Sequence, residues 1–439
     1  MLLEAGLNLE GMEVAVEKNK TLMIEGEAEV KVISGEGVIF GKRIKAGDGF
    51  YVDLLKVAPL YVPDKCRIVV SSGRVWLEKG NTIPESWSKA VDKLAKVKKP
   101  AVVPVLGGVD VGKTGFVTYA ANKLFLSGYK VGIIDADTGQ SDIGPPTTIG
   151  LGVLEEPVAM LTQVPFIDGF FIGLTSPAEL FQRSVMAVAR LTRKAIDDCN
   201  CDVVLVDTTG WVSGEGGRDL KFSKILTLNP SIIIAIEKER ELEHLLRYFE
   251  AFFRVLRVDA AVKLRPRSRI ERRSIRASIY RKWLSNSTKL RVDLNKVRVA
   301  PYSFIFTGER LTDEELTYLS ELIKTDIIYG ELCEDRLLLL TDEDKTLPEV
   351  TKDRIAEIYG VDNVLLVRRK VFENLLVAFQ SRRKLFEGLG IILDIDFKTG
   401  TINVLTNVRE EEAEVVMFGY IKIDPITFEE RGWVKKWGF

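Results

Sequence analysis

Gly107-Gly108-Val109-Asp110-Val111-Gly112-Lys113-Thr114 fits the pattern G-x-x-x-x-G-K-[ST]. Before it, Ala101-Val102-Val103-Pro104-Val105-Leu106 is a short apolar run with strand character. After it, Phe116 to Ser127 carries apolar residues at helical spacing and is closed by Gly128. Strand, glycine loop and helix start together make a phosphate cradle. Glycines let backbone N–H groups turn inward around phosphate oxygens, and the helix points its positive end at the same anion. Residues Gly107 to Gly115 are therefore expected to wrap a triphosphate, with Lys113 on the β- and γ-phosphates and the Thr114 hydroxyl on Mg²⁺. A chance glycine turn would not need these flanks. The chain is expected to bind a nucleoside triphosphate.

Outward from the loop, residues 101 to about 300 alternate strand and helix, which predicts an α/β fold with a mostly parallel sheet. Lys130-Val131-Gly132-Ile133-Ile134-Asp135, Asp202-Val203-Val204-Leu205-Val206-Asp207 and Ser231-Ile232-Ile233-Ile234-Ala235-Ile236 read as strands, and Ala178 to Asp198 as a long helix. Residues 1–83 read as a β-rich module. Arg67-Ile68-Val69-Val70 and Arg74-Val75-Trp76-Leu77 flank Ser-Ser-Gly as a hairpin would. A helix from Asn81 to about Lys96 leads into the loop strand, and residues 301–439 form a second β-rich appendage after one or two helices. The expected domains are 1–83, 84–300 and 301–439.

Ligands of such sheets sit beyond the carboxyl ends of the strands, and the polar residues cluster there. Asp135-Ala136-Asp137-Thr138-Gly139-Gln140-Ser141 ends the second strand. One carboxylate there can hold Mg²⁺ while another orients or deprotonates an attacking hydroxyl. Asp207-Thr208-Thr209-Gly210-Trp211 ends the third, with Asp207 suited to reach Mg²⁺ through water. Trp211 is either core packing or a platform for a nucleobase. Thr175 or Ser176 suits a helix cap, an anion site, or both.

From Lys263 to Arg298 the basic residues face only Glu271 and Asp293, although the whole chain carries a net charge of −1. The dense part, Arg265 to Arg276, suits a lid whose arginines close over a phosphoryl group (residues 263–284) better than the solvated face of a helix. With 46% hydrophobic and 28% charged residues the 439-residue chain has material for several packed cores. No apolar run is long enough for a membrane span, and Met1-Leu2-Leu3-Glu4-Ala5-Gly6 has no signal-peptide character. A cytoplasmic protein without disulfides is expected, since the four cysteines form no framework. Scarce glutamine amid abundant Lys, Arg and Glu resembles a hyperthermophile's composition. The single histidine, His244, is expected on the surface of a charged helix, and mechanisms needing two histidines are excluded.

Taken in order, Gly-Gly-Val-Asp-Val-Gly-Lys-Thr, Asp-Ala-Asp-Thr-Gly-Gln, Thr175-Ser176-Pro177, Thr209-Gly210-Trp211 and the arginine run resemble the polynucleotide 5′-hydroxyl kinases of RNA processing, archaeal members included. The likeness extends to Ser34–Gly41 near the start and to Gly388–Asp396 and Phe418-Gly419 near the end. It implies an enzyme that uses ATP or GTP with Mg²⁺ on 5′-hydroxyl ends of RNA, with DNA left open, and that has RNA-processing protein partners not named by the sequence. By the same resemblance Lys113 and Thr114 bind the triphosphate and Mg²⁺, Asp137 activates the 5′-hydroxyl, and Gln140 belongs to the metal and phosphate environment. Thr175 and Ser176 clasp the substrate backbone, and Trp211 stacks on a base. Arg267, Arg272 and Arg276 suit the lid by spacing, although neighbouring arginines permit other alignments. Asp135 and Asp207 take metal-supporting roles.

Two rivals belong to other classes. A switch GTPase or partner-loading ATPase places similar acids after the same strands, but the sequence has no Asn-Lys-x-Asp or Thr-Lys-x-Asp segment to read guanine. A non-catalytic ATP-binding scaffold of an RNA-processing complex is the other, and intact Lys113, Thr114 and Asp137 argue against it.

Overall fold

The computed structural model describes residues 11–261, 268–303 and 305–434. The chain divides into two compact units, Met1–Gly169 with Leu180–Ile275, and Phe170–Glu179 with Arg276–Phe439. The boundaries expected near 83 and 300 both fall inside these units.

The first unit is built on a seven-stranded sheet. Its strands are β1 (Ala101–Gly107), β2 (Val131–Asp135), β3 (Thr148–Val153), β4 (Phe166–Phe171), β5 (Val203–Asp207), β6 (Ile233–Glu237) and β7 (Val255–Asp259), in the order β4-β3-β2-β5-β1-β6-β7. β5 runs parallel to both β1 and β2, β6 runs parallel to β1 and β7, and β3 is antiparallel to β2. β1, β2, β3 and β5 are buried along their whole length, as runs of Val, Ile and Leu require when both faces are covered. The helices are α1 (Glu85–Ala95), α2 (Lys113–Leu126), α3 (Phe181–Asp197), α4 (Gly214–Leu228), α5 (Glu243–Phe252) and α6 (Arg269–Trp283), of which α6 belongs to this unit only as far as Ile275. This is the α/β architecture the sequence predicts. Helix α3 starts three residues later than expected, with Leu180 at its cap position, so neither Thr175 nor Ser176 caps it.

The N-terminal strands form a four-stranded and a five-stranded sheet. The expected hairpin is absent. Cys66–Val70 pairs with Met12–Val16 and Ala28–Ser34 in one sheet, while Arg74–Lys79 pairs with Lys20–Glu25 in the other. Ser71-Ser72-Gly73 is thus a crossing between sheets, a distinction that a turn signal does not encode. These sheets share one apolar core with α1 and α2, in which Phe40, Leu60, Trp87 and Phe116 are all buried. Asn122 of α2 donates to the Phe40 carbonyl at 2.9 Å, and Lys56 pairs with Asp142 at 2.5 Å. A side chain at Gly115 would press on the Phe40 ring at 3.1 Å.

The second unit holds a sheet ordered Thr288–Asp293, Thr401–Thr406, Gly388–Asp396, Leu375–Gln380, Val415–Ile423 and Arg298–Val299, with Glu430–Trp433 added beside Val415–Ile423. A smaller four-stranded sheet carries the helices Asp313–Ile323 and Glu349–Tyr359. The segment 170–179 belongs here, tied by the Tyr420 N–H to the Gly173 carbonyl at 3.0 Å.

Candidate active site

Strand register levels the site. Asp207 lies across from Val105 of β1 on one side and Asp135 of β2 on the other, so β2 and β5 end at one height and β1 runs two residues further, to Gly107. The loop 107–114 leaves β1 there and enters α2. Gly112 caps that helix at φ +98°, a conformation in which a β-carbon would also lie 2.7 Å from Ala261. The loop is braced from outside by Ala261 N–H, which donates to the Val111 carbonyl at 3.1 Å. Below α2, the Trp87 ring meets Phe116 edge-on at 5.4 Å and its indole N–H donates to the Asp259 carbonyl. No side chain caps α2 and its first turn holds no acid, so the helix's positive end stays available to an anion.

Lys113 is buried and donates to the Gly108 carbonyl at 2.5 Å. Burial pushes its ammonium below the usual lysine range, and Asp207, Asp137 and Asp110 oppose that shift. Thr114 Oγ1 donates to Asp207 Oδ2 at 2.6 Å. The other carboxylate oxygen, Asp207 Oδ1, is buried without a hydrogen-bond partner among the described residues. Burial raises the Asp207 carboxyl to about 6 against the pull of Lys113 and the Thr114 bond. A threonine hydroxyl beside a buried, half-unpartnered carboxylate is an all-oxygen donor set of the kind Mg²⁺ prefers.

Asp135 is used differently. Its Oδ1 accepts from Asp137 N–H at 3.1 Å, and its Oδ2 accepts from the Ser141 hydroxyl and from the N–H groups of Asp142 and Ile143. The carboxylate folds residues 135–143 around itself. Asp137 heads the turn so formed, with Oδ1 accepting from Gly139 N–H at 3.0 Å and Gln140 N–H at 3.1 Å. Both bonds go to one oxygen, so the second takes no part in holding the turn.

Trp211 lies half-buried over the start of α4. A β-carbon at Gly216 would come within 2.6 Å of its ring, and one at Gly217 within 3.0 Å of Nε1. Two glycines in a helix cost stability, and here they make room for the indole. An open cleft lined by Ser213, Arg218, Phe222 and His244 adjoins this turn. His244, expected at the surface, is half-buried and bonds through Nε2 to the Val212 carbonyl at 2.7 Å. Gly210 allows Thr209 and Trp211 to pass the loop backbone at Val109, where a β-carbon would meet Cα at 2.9 Å.

Two residues escaped the sequence reading. Lys221 and Lys224 of α4 are both buried. Lys221 donates to the Thr209 carbonyl at 2.5 Å and to its hydroxyl at 3.2 Å. The available signal is their place among Leu220, Ile225 and Leu228, the helix's inward positions.

Of the lid arginines, Arg267 lies outside the described residues. Arg272 is half-buried with Nε unpartnered among the described residues. Arg276 differs from expectation. Its guanidinium grips Glu430 through two bonds, at 2.5 and 2.7 Å, and both side chains are largely buried. An arginine held this way is not a free lid cation. Thr175 and Ser176 stand on the 170–179 segment of the second unit, Thr175 half-buried and Ser176 exposed.

A parallel-sheet core with this loop, an uncapped helix start and a Thr–Asp oxygen pair defines a P-loop nucleotide-binding protein. Residues 107–286 match the P-loop family of the mRNA cleavage and polyadenylation factor CLP1. The chain is 33% identical over 345 residues to a polyribonucleotide 5′-hydroxyl-kinase of Methanocaldococcus jannaschii, covering 78% of this chain and 92% of the relative. It is 32% identical over 344 residues to the one of Pyrococcus abyssi, at 78% and 93% coverage. A solved structure of Clp1p in complex with Pcf11p superposes with a TM-score of 0.61 at 14% identity, covering 94% of this chain and 98% of that one, a likeness of fold. The chain belongs to the Clp1-type polyribonucleotide 5′-hydroxyl-kinase family.

Proposed function

We propose that this protein transfers the γ-phosphoryl group of a nucleoside triphosphate to the 5′-hydroxyl end of RNA. The observation that carries the reading is the placement of Asp137. Its charge acts on Lys113, the residue read as meeting the β- and γ-phosphates, and only one of its oxygens is used in the turn that holds it. In the reaction the 5′-oxygen forms a bond to the γ-phosphorus as the bond from that phosphorus to the β–γ bridging oxygen breaks. The hydroxyl proton passes to Asp137, and the diphosphate departs with the bridging oxygen.

Gly107 to Gly115 hold the triphosphate by backbone N–H groups, and Lys113 exchanges the Gly108 carbonyl for phosphate oxygens. Thr114 and Asp207 would hold Mg²⁺, which supplies charge neutralisation at the phosphates. We assign Asp135 to shaping the loop that presents Asp137 and Gln140, in place of the metal support expected from sequence. Trp211 offers its ring to the terminal base, and Thr175 with Ser176 takes the phosphate backbone. Arg272 is the described lid arginine that remains for transition-state charge, with Arg267 as its sequence-based companion. Partner proteins in RNA processing, the use of DNA, and a cytoplasmic setting belong to the same proposal. Among the described residues no helix is long and apolar enough to cross a membrane.

The test is end-labelling. Purified protein with Mg²⁺ and γ-labelled ATP or GTP should label a 5′-hydroxyl RNA oligonucleotide and leave a 5′-phosphorylated one unlabelled. Slow nucleotide hydrolysis indifferent to oligonucleotide would instead favour a switch.

A further inference from the structure

Lys224 is 1% exposed, and its Nζ has no hydrogen-bond partner among the described residues. An ammonium so placed costs several kcal/mol unless a charge nearby repays it. The carboxylate whose field reaches it is Asp137. One turn earlier on α4, Lys221 is equally buried and is spent on Thr209, the residue that leads into Gly210 and Trp211. Lys221 feels Lys224 and Lys113 as like charges, with Asp137 and Asp207 as opposite ones. The charges of Lys113, Lys221 and Lys224 therefore all act on the half-buried Asp137, and those of Lys113 and Lys221 act on the buried Asp207 as well. Aliphatic residues would fill the inward face of α4 at lower cost, so the amines answer an electrostatic need of the site. Burial pulls the Lys224 ammonium down to about 8 and Asp137 opposes that pull, so much of the charge persists at neutral pH.

We propose that Lys224 is a positioning residue for phosphoryl transfer. Its buried ammonium holds the Asp137 carboxylate in its working position from the side of α4, while Lys221 secures the Thr209–Trp211 turn. Preorganised charge of this kind costs no reorganisation when the hydroxyl arrives. The inference rests on the kinase reading above, because Asp137 receives the proton there.

The experiment compares wild type, Lys224→Met, Lys224→Arg, Asp137→Asn and the Asp137→Asn/Lys224→Met double variant in steady-state transfer to a 5′-hydroxyl RNA. Lys224→Met should lower kcat by about 10- to 100-fold with both KM values within about two-fold, and Lys224→Arg should recover most of it. In the Asp137→Asn background, Lys224→Met should slow nothing further. A Lys224→Met enzyme at wild-type rate overturns the proposal. So does an equal loss of rate and melting temperature in the Met and Arg variants, which marks a packing role. If wild type labels no 5′-hydroxyl end, the kinase reading fails, and the same four-protein cycle is then read in thermal unfolding. Lys224→Met should cost at least about 2 °C more with Asp137 intact than in the Asp137→Asn background. Additive shifts overturn the pairing on their own.

Discussion

Thr114 Oγ1 and Asp207 Oδ2 stand 2.6 Å apart across the mouth of the phosphate loop, and the second oxygen of Asp207 is buried without a partner among the described residues. A carboxylate kept in this state is strained toward its neutral form, and its ordinary relief is a cation.

That strain has a pH signature. Asp207 titrates near 6 in the fold, whereas an unfolded aspartate titrates at about 3.9. Between those values the native state binds more protons than the unfolded state, so stability falls as pH rises from about 4 to 6. Without Mg²⁺, Asp207→Asn should flatten that window and stabilise the protein at pH 7 by on the order of 1–3 kcal/mol. The same variant should lose the Mg²⁺-dependent gain in melting temperature. Calorimetry at pH 5 and 7, with and without Mg²⁺, reads both effects.

Lys113 carries a related cost. Its ammonium is buried against one carbonyl. Lys113→Met should melt no lower than wild type without nucleotide. With nucleotide at about 100 times the wild-type Kd, wild type should gain about 2.7 kcal/mol and the variant little. A full nucleotide-induced shift in Lys113→Met would contradict the role given to this lysine.

For Trp211 the ring and its bed can be separated. Trp211→Ala removes the proposed stacking platform, an interaction worth about 1–3 kcal/mol per base, so KM for RNA should rise by roughly tenfold or more while KM for nucleotide holds. Gly216→Val displaces the ring without deleting it, because its side chain would meet the indole within 2.6 Å. It should reproduce the RNA effect. An unchanged KM for RNA in both variants would return Trp211 to simple packing.

Legibility in the sequence differs from element to element. The phosphate loop was legible because its function fixes glycine and lysine at set spacings, and the strand ends were legible from apolar runs that stop at aspartate. The false hairpin at 67–77 shows the limit: Ser71-Ser72-Gly73 reverses no chain but carries it between sheets, and the pairing is chosen by partners at 12–16 and 20–25. Lys221 and Lys224 carry no local mark of their burial, which depends on tertiary packing, and the carboxylate that acts on both, Asp137, lies more than eighty residues away. Arg276 counted as one more lid charge, for nothing in the local pattern reveals Glu430.

The Arg276–Glu430 pair can be told from a lid by stability. Both groups are mostly buried and doubly bonded, so Arg276→Ala should destabilise by about 3–5 kcal/mol. The double Arg276→Ala/Glu430→Ala variant should cost less than the sum of the two single changes. If Arg276→Ala keeps its melting temperature and loses kcat, Arg276 leaves Glu430 during the reaction and serves the lid after all.

The proposed role of Asp137 as acceptor of the hydroxyl proton is the centre of this chemistry, and one comparison reaches it most directly. Single-turnover transfer from a γ-labelled nucleoside triphosphate to a 5′-hydroxyl RNA is measured for wild type and Asp137→Ala, with nucleotide affinity determined on the same samples. The predicted result is a rate at least about 100-fold lower with nucleotide affinity within about threefold of wild type. Transfer at the wild-type rate by Asp137→Ala would contradict it.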